Sequence, residues 1–174
     1  MLQYHDKEWG VPTHDDRRLF EFMILEGAQA GLSWMTILRR REAYRAAFAD
    51  FDPARIARFD RRKVDSLMRN EAIIRNRRKI EGTIANAKAY LALRETGTTL
   101  SDFMWKFVGG KPIVNRRTSL SQIPASTPES GAMSKAMKKA GFTFFGTTIC
   151  YAHMQAVGMV NDHMVTCFRY RELV

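Results

Sequence analysis

The stretch from residue 15 to residue 31 constrains the fold more than any other part of this chain. Its spacing reads as a helix whose polar face runs through Arg17, Arg18 and Glu21. Glu26 falls on the other side, one turn from Phe22 and Met23, two turns from Leu19 and one turn before Ala30. Any fold that buries this helix must therefore take a carboxylate inside. That costs roughly several kcal/mol unless something compensates. The available compensations are a raised pKa, a cationic partner, or a ligand that favours a negative charge. The bland alternative is a helix-end glutamate that bends back to solvent, since Gly27 and Gly31 follow closely.

The rest of the chain predicts an all-α protein. Thr13 is a candidate cap for the first long helix, with Asp16 three residues on. Ser33 is placed to cap a second helix carrying Ile37, Leu38, Tyr44 and Phe48, and Asp52-Pro53 and Asp60 open two short ones. A long helix follows from about residue 76, with Ile80, Ile84, Ala87 and Leu91 on one face, and another covers about 100–107. Residues 109–127 hold Gly-Gly, Lys-Pro and Ile-Pro pairs and read as the longest loop. Thr127-Pro128 opens a helix with Met133 and Met137 that stops at Gly141, and Thr147 or Thr148 opens the last long one, to about Gly158. There is no internal repeat and no strand alternation. The 174 residues are expected to form one domain, 1–174, arranged as two helical lobes with a hairpin at about 138–148.

Charge narrows the partners. There are 28 Lys and Arg against 18 Asp and Glu, a net charge of +10. The basic residues cluster at Arg39-Arg40-Arg41, Arg61-Arg62-Lys63, Arg75 with Arg77-Arg78-Lys79, Arg116-Arg117, and Lys135 with Lys138-Lys139. Such a surface attracts polyanions through phosphate contacts; the other reading is a solvated basic face. No apolar run approaches the roughly 20 residues of a membrane span. The polar N-terminal residues and the two cysteines, Cys150 and Cys167, lead to the expectation of a cytoplasmic protein. Nothing in the sequence demands more than a monomer.

Three groups of residues carry candidate chemistry. The segment from Lys138 and Lys139 through Gly141 to Gly146, Thr147 and Thr148 joins two helices by a glycine-flanked hairpin. Glycine allows close approach to a phosphate, and free N–H groups at a helix start suit an anion. Read plainly, it is a helical corner with glycine caps. Tyr4, Trp9 and Trp34 form an aromatic group that could stack a flipped base, or simply fill the core. His163 and Cys167, four apart, share a face if the segment is helical, and with His5 make three nitrogen and sulfur ligands for a metal; a closed structural zinc needs a fourth.

Several longer stretches carry a resemblance: Tyr4-His5-Asp6-Lys7-Glu8-Trp9-Gly10-Val11-Pro12, Leu25-Glu26-Gly27-Ala28-Gln29-Ala30-Gly31-Leu32-Ser33-Trp34, Phe145-Gly146-Thr147-Thr148-Ile149-Cys150-Tyr151, and Val160-Asn161-Asp162-His163. With these, nearly the whole chain resembles the 3-methyladenine DNA glycosylase I family. The resemblance implies an all-α helix-hairpin-helix glycosylase fold and a monofunctional enzyme. Its partner would be double-stranded alkylated DNA, from which it removes the 3-methyladenine base by cleaving the N-glycosidic bond. By matching position, Glu26 would bind the edge of the flipped base and act as the main catalytic group, Tyr4 and Trp34 would enclose the base, and Trp9 would belong to the same neighbourhood. Leu32 is a candidate wedge into the duplex, or a core leucine. The resemblance implies a structural zinc on His5, His163 and Cys167; the family's fourth ligand, a cysteine upstream of Tyr4-His5-Asp6, lies before the point where this sequence begins. Asp162, beside His163, is expected to support or cap rather than to activate water.

The chemistry agrees with that assignment. An N3-methylated deoxyadenosine is cationic and its ring is already a good leaving group. A buried carboxylate and aromatic faces favour such a cation over neutral adenine. The competing expectation is a non-enzymatic DNA-binding module, with Glu26 in solvent and no pocket, or a zinc-stabilised interaction protein.

Overall fold

The structure, a computed structural model, describes residues 2–173. It is all-α: eleven α-helices and, among the described residues, only one two-stranded ladder. The order is α1 (Leu2–Lys7), α2 (Asp16–Gln29), α3 (Trp34–Leu38), α4 (Arg41–Ala47), α5 (Pro53–Ile56), α6 (Arg61–Leu67), α7 (Arg77–Glu95), α8 (Leu100–Trp105), α9 (Pro128–Lys139), α10 (Thr147–Ala156) and α11 (Phe168–Glu172).

Helix α2 is the axis. Every residue from Leu19 to Ala28 is buried, because α3, α7, α8 and α10 pack around it. Only its first turn is wet. Asp15 caps it, accepting from the Arg18 N–H at 2.7 Å, while the Thr13 hydroxyl accepts from the Asp15 N–H instead. The cap therefore sits two residues later than the sequence spacing indicates. Asp16 then does unexpected work outside its own helix. Its carboxylate accepts from the N–H groups of Leu100 (3.1 Å) and Ser101 (2.8 Å), satisfying donors at the start of α8.

Glu21 departs from the sequence reading, which placed it on a solvated face. It is buried and accepts from Arg41 at 2.7 Å and Arg45 at 2.9 Å. Glu8 joins the network by accepting from Arg18 and Arg41. This also alters the helix expected after Ser33. Ser33 does cap it, but the helix breaks at residues 39–40 and restarts as α4, whose first residue, Arg41, turns inward to Glu21 and Glu8. Tyr44 lies on α4 and Phe48 just beyond it.

Asp52 with Pro53, Asp60 and Thr127 open the helices expected of them, Asn76 caps α7 where a helix was expected to begin, and Thr99 caps α8, a position the sequence reading did not single out. The long loop holds one surprise. Ile113–Val114 (β1) pairs in parallel with Val160–Asn161 (β2), and the pairing extends to a bridge between Arg117 and Met164. Two-residue strands are too short for alternation to reveal. Their effect is to lay residues 113–123 along the segment that carries His163. α9 and α10 pack closely on each other, joined by the hairpin of residues 140–146, and α10 also packs on α2.

Candidate active site

The N-terminal helix α1 presents Tyr4 to the start of α3 and to α2. The Tyr4 ring lies 5.5 Å from Trp34 and 6.4 Å from Phe22, and the Phe22 and Trp34 rings are nearly parallel at 6.4 Å. Tyr4 and Trp34, with His5 and Trp9, line an open apolar cleft of about 520 Å³. Leu120 and Ile123 add to its wall from the loop that the β1–β2 ladder holds in place, and Leu2, Met164 and the residues around His163 and Cys167 line the rest. Sequence reasoning did not find Leu120 or Ile123, because apolar loop residues among serines carry no periodicity.

Glu26 is one turn beyond Phe22 on the same face of α2 and is 5% exposed. The reading in which it bends back to solvent is thereby excluded, and so is the prediction of an exposed Glu26 made by a pocketless binding module. No ion pair or side-chain hydrogen bond reaches its carboxylate among the described residues. Burial without a partner pushes its pKa up to about 8. It is not among the residues that line the wide outer cleft, but it adjoins Tyr4. Burial raises the Tyr4 phenol well above its ordinary value, and the charge of Glu26 adds to this. A second unmatched group lies nearby: the Trp34 indole Nε1 is buried with no acceptor. An unpaired acceptor and an unpaired donor beside aromatic faces are groups that one planar polar ligand can satisfy together.

His5, His163 and Cys167 come together, with one ligand atom of each within 4.8 Å of the others. They do not share a helix face, as the four-residue spacing had indicated. Residues 162–167 are turn and bridge, and the ladder to the long loop places them. The tautomers are set by second partners. His5 Nδ1 donates to Asp6 at 2.8 Å, and His163 Nε2 donates to the Trp9 carbonyl at 3.2 Å. This leaves His5 Nε2 and His163 Nδ1 as lone pairs, each 3.7 Å from the Cys167 sulfur. A tetrahedral ion with bonds of roughly 2.0–2.3 Å needs its ligand atoms about 3.5 Å apart; both histidine–cysteine separations are close to that, and all three donor atoms lie within 4.8 Å of one another.

Asp162, next in the chain, is 2% exposed and accepts from Asn115, Arg117, Tyr151 and Gln155 at 2.5–2.9 Å. Burial alone would raise its pKa, but these four donors hold it below the ordinary value. Its lone pairs are occupied, and it knits α10, β2 and the long loop together.

The hairpin residues sit where a long anion could reach them. Lys138, Lys139, Gly146, Thr147 and Thr148 are all exposed. The first turn of α10 has no side-chain cap, whereas α2, α7 and α9 are capped by Asp15, Asn76 and Thr127. Leu32 is 41% exposed in the turn between α2 and α3, so it is not a core leucine. Several members of the basic clusters are engaged: Arg41 by Glu8 and Glu21, Arg117 by Asp162, Arg75 by Glu71, Arg77 by Asp65 and Glu81, and Lys79 by the carbonyls of Ala28 and Ala30.

The family model for methyladenine glycosylase matches residues 1–170. The chain is 53% identical over 169 residues to DNA-3-methyladenine glycosylase 1 of Escherichia coli (strain K12), covering 97% of this chain and 90% of that one. A crystal structure of 3-methyladenine DNA glycosylase I superposes with a TM-score of 0.95 at 54% identity, covering 96% of this chain and 92% of that one. The 3-methyladenine DNA glycosylase I of Staphylococcus aureus, in a structure concerned with 3-methyladenine recognition, gives 0.93 at 35% identity, covering 96% and 89%. Sequence and fold thus lead to one statement: the chain belongs to the methyladenine glycosylase family.

Proposed function

We propose that this protein excises N3-methyladenine from alkylated DNA by hydrolysing the N-glycosidic bond of a flipped nucleotide, the first step of base excision repair. The observation that carries the reading is Glu26: a buried, unpaired carboxylate beside Tyr4 and Trp34 in a member of this family. No described side chain pairs with the Glu26 carboxylate, and the N3-methylated base is a cation that can. On entry the base replaces the proton that Glu26 otherwise holds, and the ring faces of Tyr4 and Trp34 add to the attraction. Neutral adenine would leave the carboxylate desolvated without return, which supplies discrimination. Because the methylated ring is already a good leaving group, Glu26 acts by stabilising the departing base rather than by protonating it.

The duplex is held by the hairpin. Gly146, Thr147 and Thr148 offer backbone and hydroxyl donors to phosphate, Lys138 and Lys139 supply charge, and Leu32 fills the gap left by the flipped base. A structural zinc held by His5, His163 and Cys167 would tie α1, and hence Tyr4, to the segment after β2. Such an ion contributes rigidity to the site, and the base chemistry belongs to the side chains.

Wild type incubated with methylated DNA is expected to release free 3-methyladenine, detected by chromatography. Glu26→Gln is expected to keep DNA affinity and lose roughly 10²-fold in release rate. An unchanged affinity for free 3-methyladenine in that variant would sink the assignment of Glu26.

The same variant has a pH signature. Glu26 titrates near 8 when folded against an ordinary value of 4.5. The folded state therefore holds more protons than the unfolded state between these values, and stability falls as pH rises through that window. Glu26→Gln is expected to be no more stable than wild type below pH 4.5, and more stable by up to a few kcal/mol near pH 8. Denaturant midpoints across the window check this; parallel curves would contradict it.

Neutralising Lys138 and Lys139 together is expected to weaken DNA binding irrespective of sequence and to flatten the slope of log K against log salt by about 2. An unmoved slope would show that the hairpin is not the phosphate grip.

Elemental analysis of the purified protein is expected to find zinc. Its removal by chelation should lower the melting temperature of wild type and leave that of Cys167→Ser nearly unchanged. A metal-free wild type of unaltered stability would refute the zinc proposal.

A further inference from the structure

One side chain connects the hairpin to the helix of Glu26. Phe144, in the hairpin, has φ +53, a left-handed conformation that a residue with a β-carbon adopts seldom. Its ring lies against Gly82 of α7, where an added Cβ would be 2.6 Å from Cδ2 and Cε2 of the ring. On the other side stands Gly27 of α2, where a Cβ would be 3.4 Å from the Phe144 Cβ. Two glycines from two helices thus form a slot, and a phenylalanine with a strained backbone fills it.

The same face of α7 holds both neighbours of the slot. Asn86, one turn beyond Gly82 and 3% exposed, donates to the Thr143 carbonyl at 3.1 Å and accepts from the Thr143 N–H at 2.7 Å. Lys79, three residues before Gly82, donates to the carbonyls of Ala28 and Ala30 at 2.8 and 2.6 Å, fixing the turn that leads to Leu32. Residues 79, 82 and 86 share a helix face by their spacing. Gly27 directly follows Glu26 in the chain. The seat of the hairpin and the carboxylate are therefore one peptide apart.

We propose that Phe144 is a positioning residue: seated with its ring against Gly82 and its Cβ and carbonyl against Gly27, it sets the register of the phosphate-holding hairpin relative to Glu26. A nucleotide gripped by its backbone then swings out at the distance at which its base meets the carboxylate. The inference rests on the function proposed above. It differs from ordinary core anchoring in what it leaves untouched. Free base reaches Glu26 without the hairpin, so the keyed ring matters only when base and backbone are bound together.

Gly82→Ala tests this. In a helix interior the change by itself favours the helix, while the new methyl group displaces the Phe144 ring. Affinity for free 3-methyladenine should stay within about twofold of wild type, since that site is contacted independently. Single-turnover release from methylated DNA should fall by roughly tenfold to a hundredfold, as expected for a misplaced reacting group. Trimming the ring in Gly82→Ala/Phe144→Leu should restore much of the rate. Unchanged release, a parallel fall in free-base affinity, or no recovery in the double variant would overturn the proposal. Should Gly82→Ala not fold, Phe144→Leu alone carries the same comparison, with the same split expected. A wild type that releases no methylated base would instead remove the underlying function, an outcome distinct from an active wild type with an equally active variant.

Discussion

The structure is organised around a buried carboxyl group left without a partner. Three arginines around the start of α2 are already engaged: Glu8, just past α1, and Glu21, in the second turn of α2, claim Arg18, Arg41 and Arg45. Glu26, farther along α2, meets aromatic rings instead. A buried acid in this position destabilises the fold whenever it is ionised. The surrounding core is large enough to tolerate that, since the same helix buries Leu19, Phe20, Phe22, Met23, Ile24 and Leu25 completely or nearly so. The cost is local and the support is spread over four neighbouring helices.

This arrangement resolves an apparent contradiction in the charge distribution. A protein that meets a polyanion should present positive charge, and the outer surface does so with Lys138, Lys139 and the arginines of α6 and α7. A carboxylate on that surface would repel phosphate. Sunk beneath Tyr4 and protonated until about pH 8, it does not. Its charge is expressed only toward a cation small and flat enough to enter. Long-range attraction and short-range selection are thus carried by opposite signs in different dielectric environments.

Much of this could be read from the chain. The all-α class and most helix caps followed from periodicity and from Ser, Thr, Asp and Asn positions, which also put Glu26 on the apolar face while leaving open whether it bends to solvent; the structure buries it. The approach of His5 to His163 and Cys167 came with the resemblance, since spacing alone assigned a helix where the chain in fact turns. Other features were hidden for identifiable reasons. Glu21 looked solvent-facing because its partners, Arg41 and Arg45, lie 20 and 24 residues away. The β1–β2 ladder was too short to show a pattern, so Leu120 and Ile123 were invisible as cleft residues. The slot for Phe144 depends on two glycines, Gly27 and Gly82, that are far apart in sequence and, within their helices, look merely unfavourable.

Asp16 has a consequence for how the molecule opens. It is the first residue of α2, yet its carboxylate closes the start of α8, 84 and 85 residues later in the chain. Fraying the first turn of α2 uncovers the amides of Leu100 and Ser101, and melting α8 strips the Asp16 carboxylate of two of its donors. The two helix ends therefore open together or not at all, and their amide protons should share one exchange rate, tied to the loosening of the helix that carries the pocket. The helix that carries the base site and α8, which packs against it, form one cooperative unit.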